Sequence, residues 1–283
     1  MSNIINRKNL IYLIISLIII SFFAGFYFDE NSAGAGGYNG DITWILKNIE
    51  IFKNNELKEA IFNKDLFGNR TPLVYILNDL LNPFFYEYEN YRITTFLFSL
   101  GGPIIIYFIL RNKLPNLDKQ IIILVSSLIL LSPYYRTSSY WGLNENYGLI
   151  TSLISFLFLN LYLKNIEKKK LKLNFLLLTI IFSSLSVYFD LKLIIITMIC
   201  FFYIIFNNTS NKLKISTTFI YLLLGLPYLF LIFEWNGLVP PKTQIANENT
   251  ITNFSRIDNL YIYHLGYACT IVAFYIFPFL FLK

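Results

Sequence analysis

The stretch Leu10–Asp41, LIYLIISLIIISFFAGFYFDENSAGAGGYNGD, decides how the rest of the sequence is read. From Leu10 to Phe28 it contains no charged residue. As a helix, such a run is about 28 Å long, close to the ~30 Å hydrocarbon core of a bilayer. It leaves that apolar environment through Asp29 and Glu30, a glycine-rich turn and Asp41. No small-residue cleavage site of the A-x-A kind precedes Asp29, so the run is expected to stay in place as a first span.

Apolar runs of this kind recur along the chain. Its 283 residues are 55% hydrophobic, 18% aromatic and only 14% charged, with a mean hydropathy of +0.54. A soluble domain carries about 25% charged residues. The expected fold is all-α, a polytopic transmembrane helical bundle forming one module over residues 1–283, with no soluble domain. About eight spans are expected, near 10–28, 93–110, 120–134, 147–163, 174–189, 193–206, 217–234 and 261–282. Asp190 and Lys192 interrupt one apolar tract, and two spans meeting at a tight turn suit them better than two charges buried within one helix.

The net charge of +6 does not point to nucleic acid, because the basic residues lie mostly between apolar runs. With the N-terminus inside, Arg7, Lys8, Arg111, Lys113, Lys119, Lys164, Lys168, Lys169, Lys170, Lys172, Lys212, Lys214 and Lys283 are expected to be cytoplasmic. The short opposite loops hold only Arg136, Lys192, Lys242 and Arg256. That asymmetry gives a multi-pass protein with a cytoplasmic N-terminus, and nearly every carboxylate on the other, outer face. Cys200 and Cys269 both sit in apolar segments, without metal-ligand spacing or a disulfide framework.

The long first outer loop, residues 29–92, has helical character. Between Ile42 and Phe62, apolar residues recur at helical spacing, with Lys47, Glu50, Lys53, Glu56 and Lys58 interleaved. This predicts an amphipathic helix at the interface, its apolar face in lipid or against the bundle. A second short helix is expected from Pro72, after Thr71.

Outer-face polar residues gather at Asp29–Asp41, at Asn69–Pro72 with Arg70, at Arg136–Asn146 and at Gln244–His264. Asp29 and Glu30 read either as solvated acids at a span boundary or as active-site carboxylates. Asp41 reads either as the N-cap of the amphipathic helix or as a reactive carboxylate beside flexible glycines. A helix start after a glycine-rich turn also suits a phosphate. Tyr140 and Trp141 suit a sugar ring or an aromatic belt, and Asn144 and Glu145 suit sugar hydroxyls. Arg136 suits a phosphate, or a structural pair with Glu145. Arg256 is a further outer cation, and His264, the only histidine, is a belt residue or a base.

In order, these parts resemble the GT-C superfamily of integral-membrane glycosyltransferases, which use polyprenyl-phosphate-linked sugars. The resemblance is carried by FDENSAGAGGYNGD after the first span, by GNRTPLVYIL, and by LLSPYYRTSSYWGLNENYGLI, over roughly residues 8–165. It implies an inverting transfer from a lipid-linked sugar donor to a glycan or glycolipid acceptor, in a bacterial inner membrane. An outer-loop carboxylate would be the general base: Asp41 first, then Asp29 or Glu30. Arg70, Arg136, Tyr140, Trp141, Asn144, Glu145, Arg256 and His264 would bind substrate. No cofactor is required, a divalent cation is compatible, and no metal-ligand set stands out. The other classes in view are a transporter or flippase of lipid-linked saccharides and a non-catalytic membrane subunit of an envelope polysaccharide pathway.

Overall fold

The computed structural model describes residues 7–31, 40–68, 71–164, 169–207 and 210–245. It divides into a compact unit ending at Thr243 and a second from Gln244, which lies almost wholly outside the described residues. All regular structure among the described residues of the first unit is helical: α1 (Arg7–Tyr27), α2 (Asp41–Asn54), α3 (Leu57–Ile61), α4 (Leu73–Leu81), α5 (Tyr88–Ser99), α6 (Gly101–Lys113), α7 (Lys119–Ser127), α8 (Pro133–Tyr140), α9 (Asn144–Lys164), α10 (Lys169–Phe189), α11 (Ile194–Asn207) and α12 (Asn211–Trp235).

Five stretches are long and apolar enough to cross a membrane: Lys8–Tyr27, Tyr88–Lys113, Asn144–Lys164, Lys172–Phe189 and Asn211–Trp235. The chain is therefore a multi-pass membrane protein by the length and composition of its helices. Eight spans are not found among the described residues. The expected span near 120–134 is bent by 67° between Lys119–Leu131 and Pro133–Tyr140. The cause is local: Ser132 is extended (φ −66°, ψ 123°), as the residue before a proline prefers, and Pro133 starts α8. The expected span near 193–206 forms Leu191–Asn207, shorter than the other five. The expected span near 261–282 lies outside the described residues.

The Asp190 break occurs as expected. α10 ends at Phe189, and the Asp190 carboxylate accepts from the Lys192 backbone N–H at 3.0 Å, capping a short 3-10 turn before α11. α10 also packs closely against α9. Ser152 and Ser155 on α9 and Thr179, Ser183 and Ser186 on α10 are all buried, which lets two backbones approach without needing bulk apolar packing. A Cβ built on Gly148 would lie 2.5 Å from Leu193 Cδ1 and 3.4 Å from the Ser186 carbonyl. Gly148→Leu is expected to destabilise the protein by about 1–3 kcal/mol, as overpacked core positions do, read as a lower unfolding temperature in detergent.

The first loop folds onto the bundle. α2 buries Ile45, Ile49 and Phe52, which join Val74 and Tyr75 of α4, Phe85, Tyr91 of α5 and Phe22 of α1 in one core. Its apolar face is thus covered by protein. The amphipathic stretch is two helices instead of one, because Asn55 turns extended (φ −130°, ψ 155°) and its side chain donates to the Ile51 carbonyl at 2.8 Å. That bond takes the acceptor that a continuing helix would use. α2 begins at Asp41 with Gly40 in the cap position. Asp41 therefore lies in the first turn, where its charge suits the helix dipole, and is not the N-cap.

Candidate functional site

The end of α1 places Asp29 and Glu30. The Glu30 N–H donates to the Gly25 carbonyl at 2.9 Å, and Asp29 takes a left-handed conformation (φ +54°), closing the helix with a C-terminal turn that usually employs glycine. Aspartate tolerates that conformation better than most residues. Both acids are then held by arginines from other elements. Arg92 of α5 is ion-paired with Asp29, and Arg136 of α8 with Glu30; both guanidinium side chains are only 8% exposed.

Arg92 also donates to the carbonyls of Tyr140 (2.5 Å) and Phe26 (3.2 Å). Its guanidinium lies over the rings of Phe26 and Trp141 at 4.7 and 4.6 Å, a geometry in which ring quadrupoles stabilise the cation. Arg136 grips Glu30 with Nε at 3.0 Å and with Nη2. It also reaches Ser21 Oγ at 3.1 Å, the Ser21 carbonyl at 2.9 Å and the Leu130 carbonyl at 3.4 Å. Those contacts match the five N–H donors of a guanidinium and leave none for a phosphate. Gly25 permits this approach, since a Cβ there would lie 2.4 Å from Arg136 Nη2 and 2.6 Å from the Tyr140 hydroxyl.

A cavity of about 90 Å3 is lined by Asp41, Trp44, Asn48, Thr71, Tyr75 and Asn144 among others. Three helices begin at its wall: α2 at Asp41, α4 just after Pro72, and α9 at Asn144. First-turn N–H groups lack intrahelical acceptors, and each helix start carries about +0.5 of an elementary charge. The Asp41 carboxylate in the same wall offsets most of that partial charge. Asn144 is 4% exposed, and its Oδ1 has no hydrogen-bond partner.

One wall is a fixed loop. Asn48 donates to the Phe67 carbonyl at 2.7 Å and accepts from the Phe67 N–H at 3.1 Å. The Phe67 ring stacks on Trp44 with centroids 3.6 Å apart. Gly68 donates to Thr243 Oγ1 at 2.9 Å, and Lys242 pairs with Asp65 at 2.7 Å. Lys242 holds the Asp65 carboxyl below its usual value of 3.8, first through the hydrogen bond and then through charge. A depressed acid contributes stability above its unfolded pKa and loses it as pH falls through the folded one. Acidification to below about pH 4 is thus expected to loosen this clasp, read as lower amide protection factors, relative to the intrinsic rate at each pH, at Phe67 and Gly68.

The structure brings Asp41 and Asn144 to one cavity, and Asp29 and Glu30 to a separate arginine clamp. The expected alternative pairing of Arg136 with Glu145 is replaced by Arg136 with Glu30. Glu145 sits in the first turn of α9. Tyr140 and Trp141 do not form a belt or an open sugar platform: both are buried. The Tyr140 hydroxyl donates to the Phe22 carbonyl at 2.6 Å and Trp141 Nε1 to the Glu30 carbonyl at 3.1 Å. Arg70, Arg256 and His264 lie outside the described residues. Arg92 and Asn48 do not stand out in the sequence as site residues, whereas Thr71 lies within the Asn69–Pro72 cluster. An arginine bordering an apolar run was the one available signal for Arg92.

Among the described residues, no group of three or more His, Cys, Asp or Glu is placed to hold a metal ion. Comparison with protein-family models, curated proteins and solved structures finds no match.

Proposed function

We propose that this protein is a membrane glycosyltransferase that moves a sugar from a polyprenyl-phosphate donor to a hydroxyl of a glycan or glycolipid acceptor. The observation that carries this is the cavity in which Asp41 and Asn144, from two separate loops, meet the starts of three helices. Such a site suits a hydroxyl that must lose a proton. Asp41 accepts that proton as the acceptor oxygen attacks the anomeric carbon. The bond from that carbon to the donor phosphate oxygen breaks, inverting the centre, and the electron pair leaves on the lipid phosphate. Helix N-termini favour the charge developing on the acceptor oxygen, as fixed dipoles do at other oxyanion sites.

Asp29 is the second carboxylate for this role, since its side chain stays 61% exposed although Arg92 holds it. Glu30, gripped through both oxygens by Arg136, anchors the end of α1 instead. The charge asymmetry of the loops supports a site on the non-cytoplasmic face, and the resemblance to GT-C enzymes supports a bacterial inner membrane.

The test is a transfer assay on the purified chain in bilayers, with a radiolabelled polyprenyl-phosphate sugar and an envelope glycan extract as acceptor. Label is expected in the glycan with the wild type and not with Asp41→Asn. Absence of transfer by the wild type would turn the assignment to a transporter of lipid-linked saccharides or a non-catalytic subunit.

A further inference from the structure

We infer that the cavity beside Asp41 recognises two neighbouring hydroxyl groups of one neutral ligand, and that Asn144 is the specificity-determining residue that reads them. This rests on the proposed role of Asp41 as the acceptor of a hydroxyl proton.

Asn144 is buried to 4% exposure, lines the cavity, and its Oδ1 has no hydrogen-bond partner. Buried amides are almost always paired, and one left unpaired stores a cost that a suitable ligand removes. A primary amide offers an acceptor oxygen and N–H donors side by side. Adjacent hydroxyls meet both, one donating to Oδ1 and the other accepting from Nδ2.

Charge selects against an anion. The three helix starts together supply about +1.5 of partial charge, and the Asp41 carboxylate opposes most of it. A phosphate dianion would put two further negative charges beside Asp41. A neutral hydroxyl that shares its proton with Asp41 adds none.

The apolar part of the lining completes the fit. Trp44, Leu66, Phe67 and Tyr75 line the same space and suit the C–H edge between the hydroxyls.

Binding of small probes tests this on the full chain in nanodiscs by saturation-transfer NMR. cis-1,2-Cyclohexanediol is expected to bind about tenfold tighter than cyclohexanol, the worth of one added hydrogen bond. Asn144→Leu is expected to abolish that preference while unfolding at or above the wild-type temperature, because it removes an unpartnered amide. Asn144→Gln, which keeps the amide on a longer arm, serves as a second variant should the leucine protein misfold, and is expected to retain part of the preference.

Equal binding of the two probes, an undiminished preference in Asn144→Leu, or displacement of the diol by millimolar inorganic phosphate would each overturn the inference. A diol preference without sugar transfer would keep this inference and remove the transferase assignment. Transfer without a diol preference would do the converse.

Discussion

Arg136→Met is expected to destabilise the protein by about 3 kcal/mol, the scale of a buried ion pair broken from one side. The arginine is 8% exposed and Glu30 33%, so the charge left behind is only partly solvated. Two backbone carbonyls, of Ser21 and Leu130, lose the bond from the guanidinium as well. The methionine fills much of the stem volume, so the loss reflects unpaired polar groups more than a cavity. Thermal unfolding in detergent, followed by tryptophan fluorescence, reads the effect directly, because Trp141 bonds to the Glu30 carbonyl. Adding Glu30→Gln to Arg136→Met is expected to recover a substantial part of the loss. A single variant within about 0.5 kcal/mol of wild type would show that the clamp does not hold the end of α1.

Asp41→Asn is expected to reduce sugar transfer by about 10²–10⁴-fold, the usual contribution of a positioned general base. As a first-turn carboxylate Asp41 contributes about 0.3–1 kcal/mol to its helix through the dipole, and the unfolding temperature of the variant separates any loss of stability from lost catalysis. Asp29→Asn provides the contrast. It keeps a residue that accepts the left-handed conformation at φ +54°, but it breaks the ion pair to Arg92. If Asp41 is the base, Asp29→Asn lowers the unfolding temperature more than it lowers transfer. The reverse pattern, with full activity in Asp41→Asn and loss in Asp29→Asn at unchanged stability, would move the base to Asp29.

Much of the architecture is legible without coordinates. The uncharged run before Asp29, the spacing of Ile45, Ile49 and Phe52, and the break at Asp190 each follow from local physics. A bilayer demands long apolar helices, an amphipathic helix buries one face, and charges such as Asp190 and Lys192 are costly inside a span. What misleads is also local. Ser132–Pro133 sits inside an apolar tract whose composition suggests a straight span, yet the backbone before proline turns extended and bends it by 67°. Asn55 splits the amphipathic stretch through a side-chain bond that periodicity does not register.

The division for the site runs along sequence distance. The acids Asp29, Glu30 and Asp41 and the amide Asn144 stand out in the sequence because polar residues next to apolar spans are conspicuous. Their partners do not. Whether Arg136 meets Glu30 or Glu145 depends on how α8 packs against α1, and only the folded chain chooses Glu30. Burial of Tyr140 and Trp141, the clamp by Arg92, and the meeting of three helix starts around Asp41 are long-range events of the same kind. Composition and hydrophobic period are properties of neighbouring residues and fixed the helical, membrane-spanning character. Ion-pair choice and cavity shape depend on contacts between distant segments, so only tertiary packing could decide them.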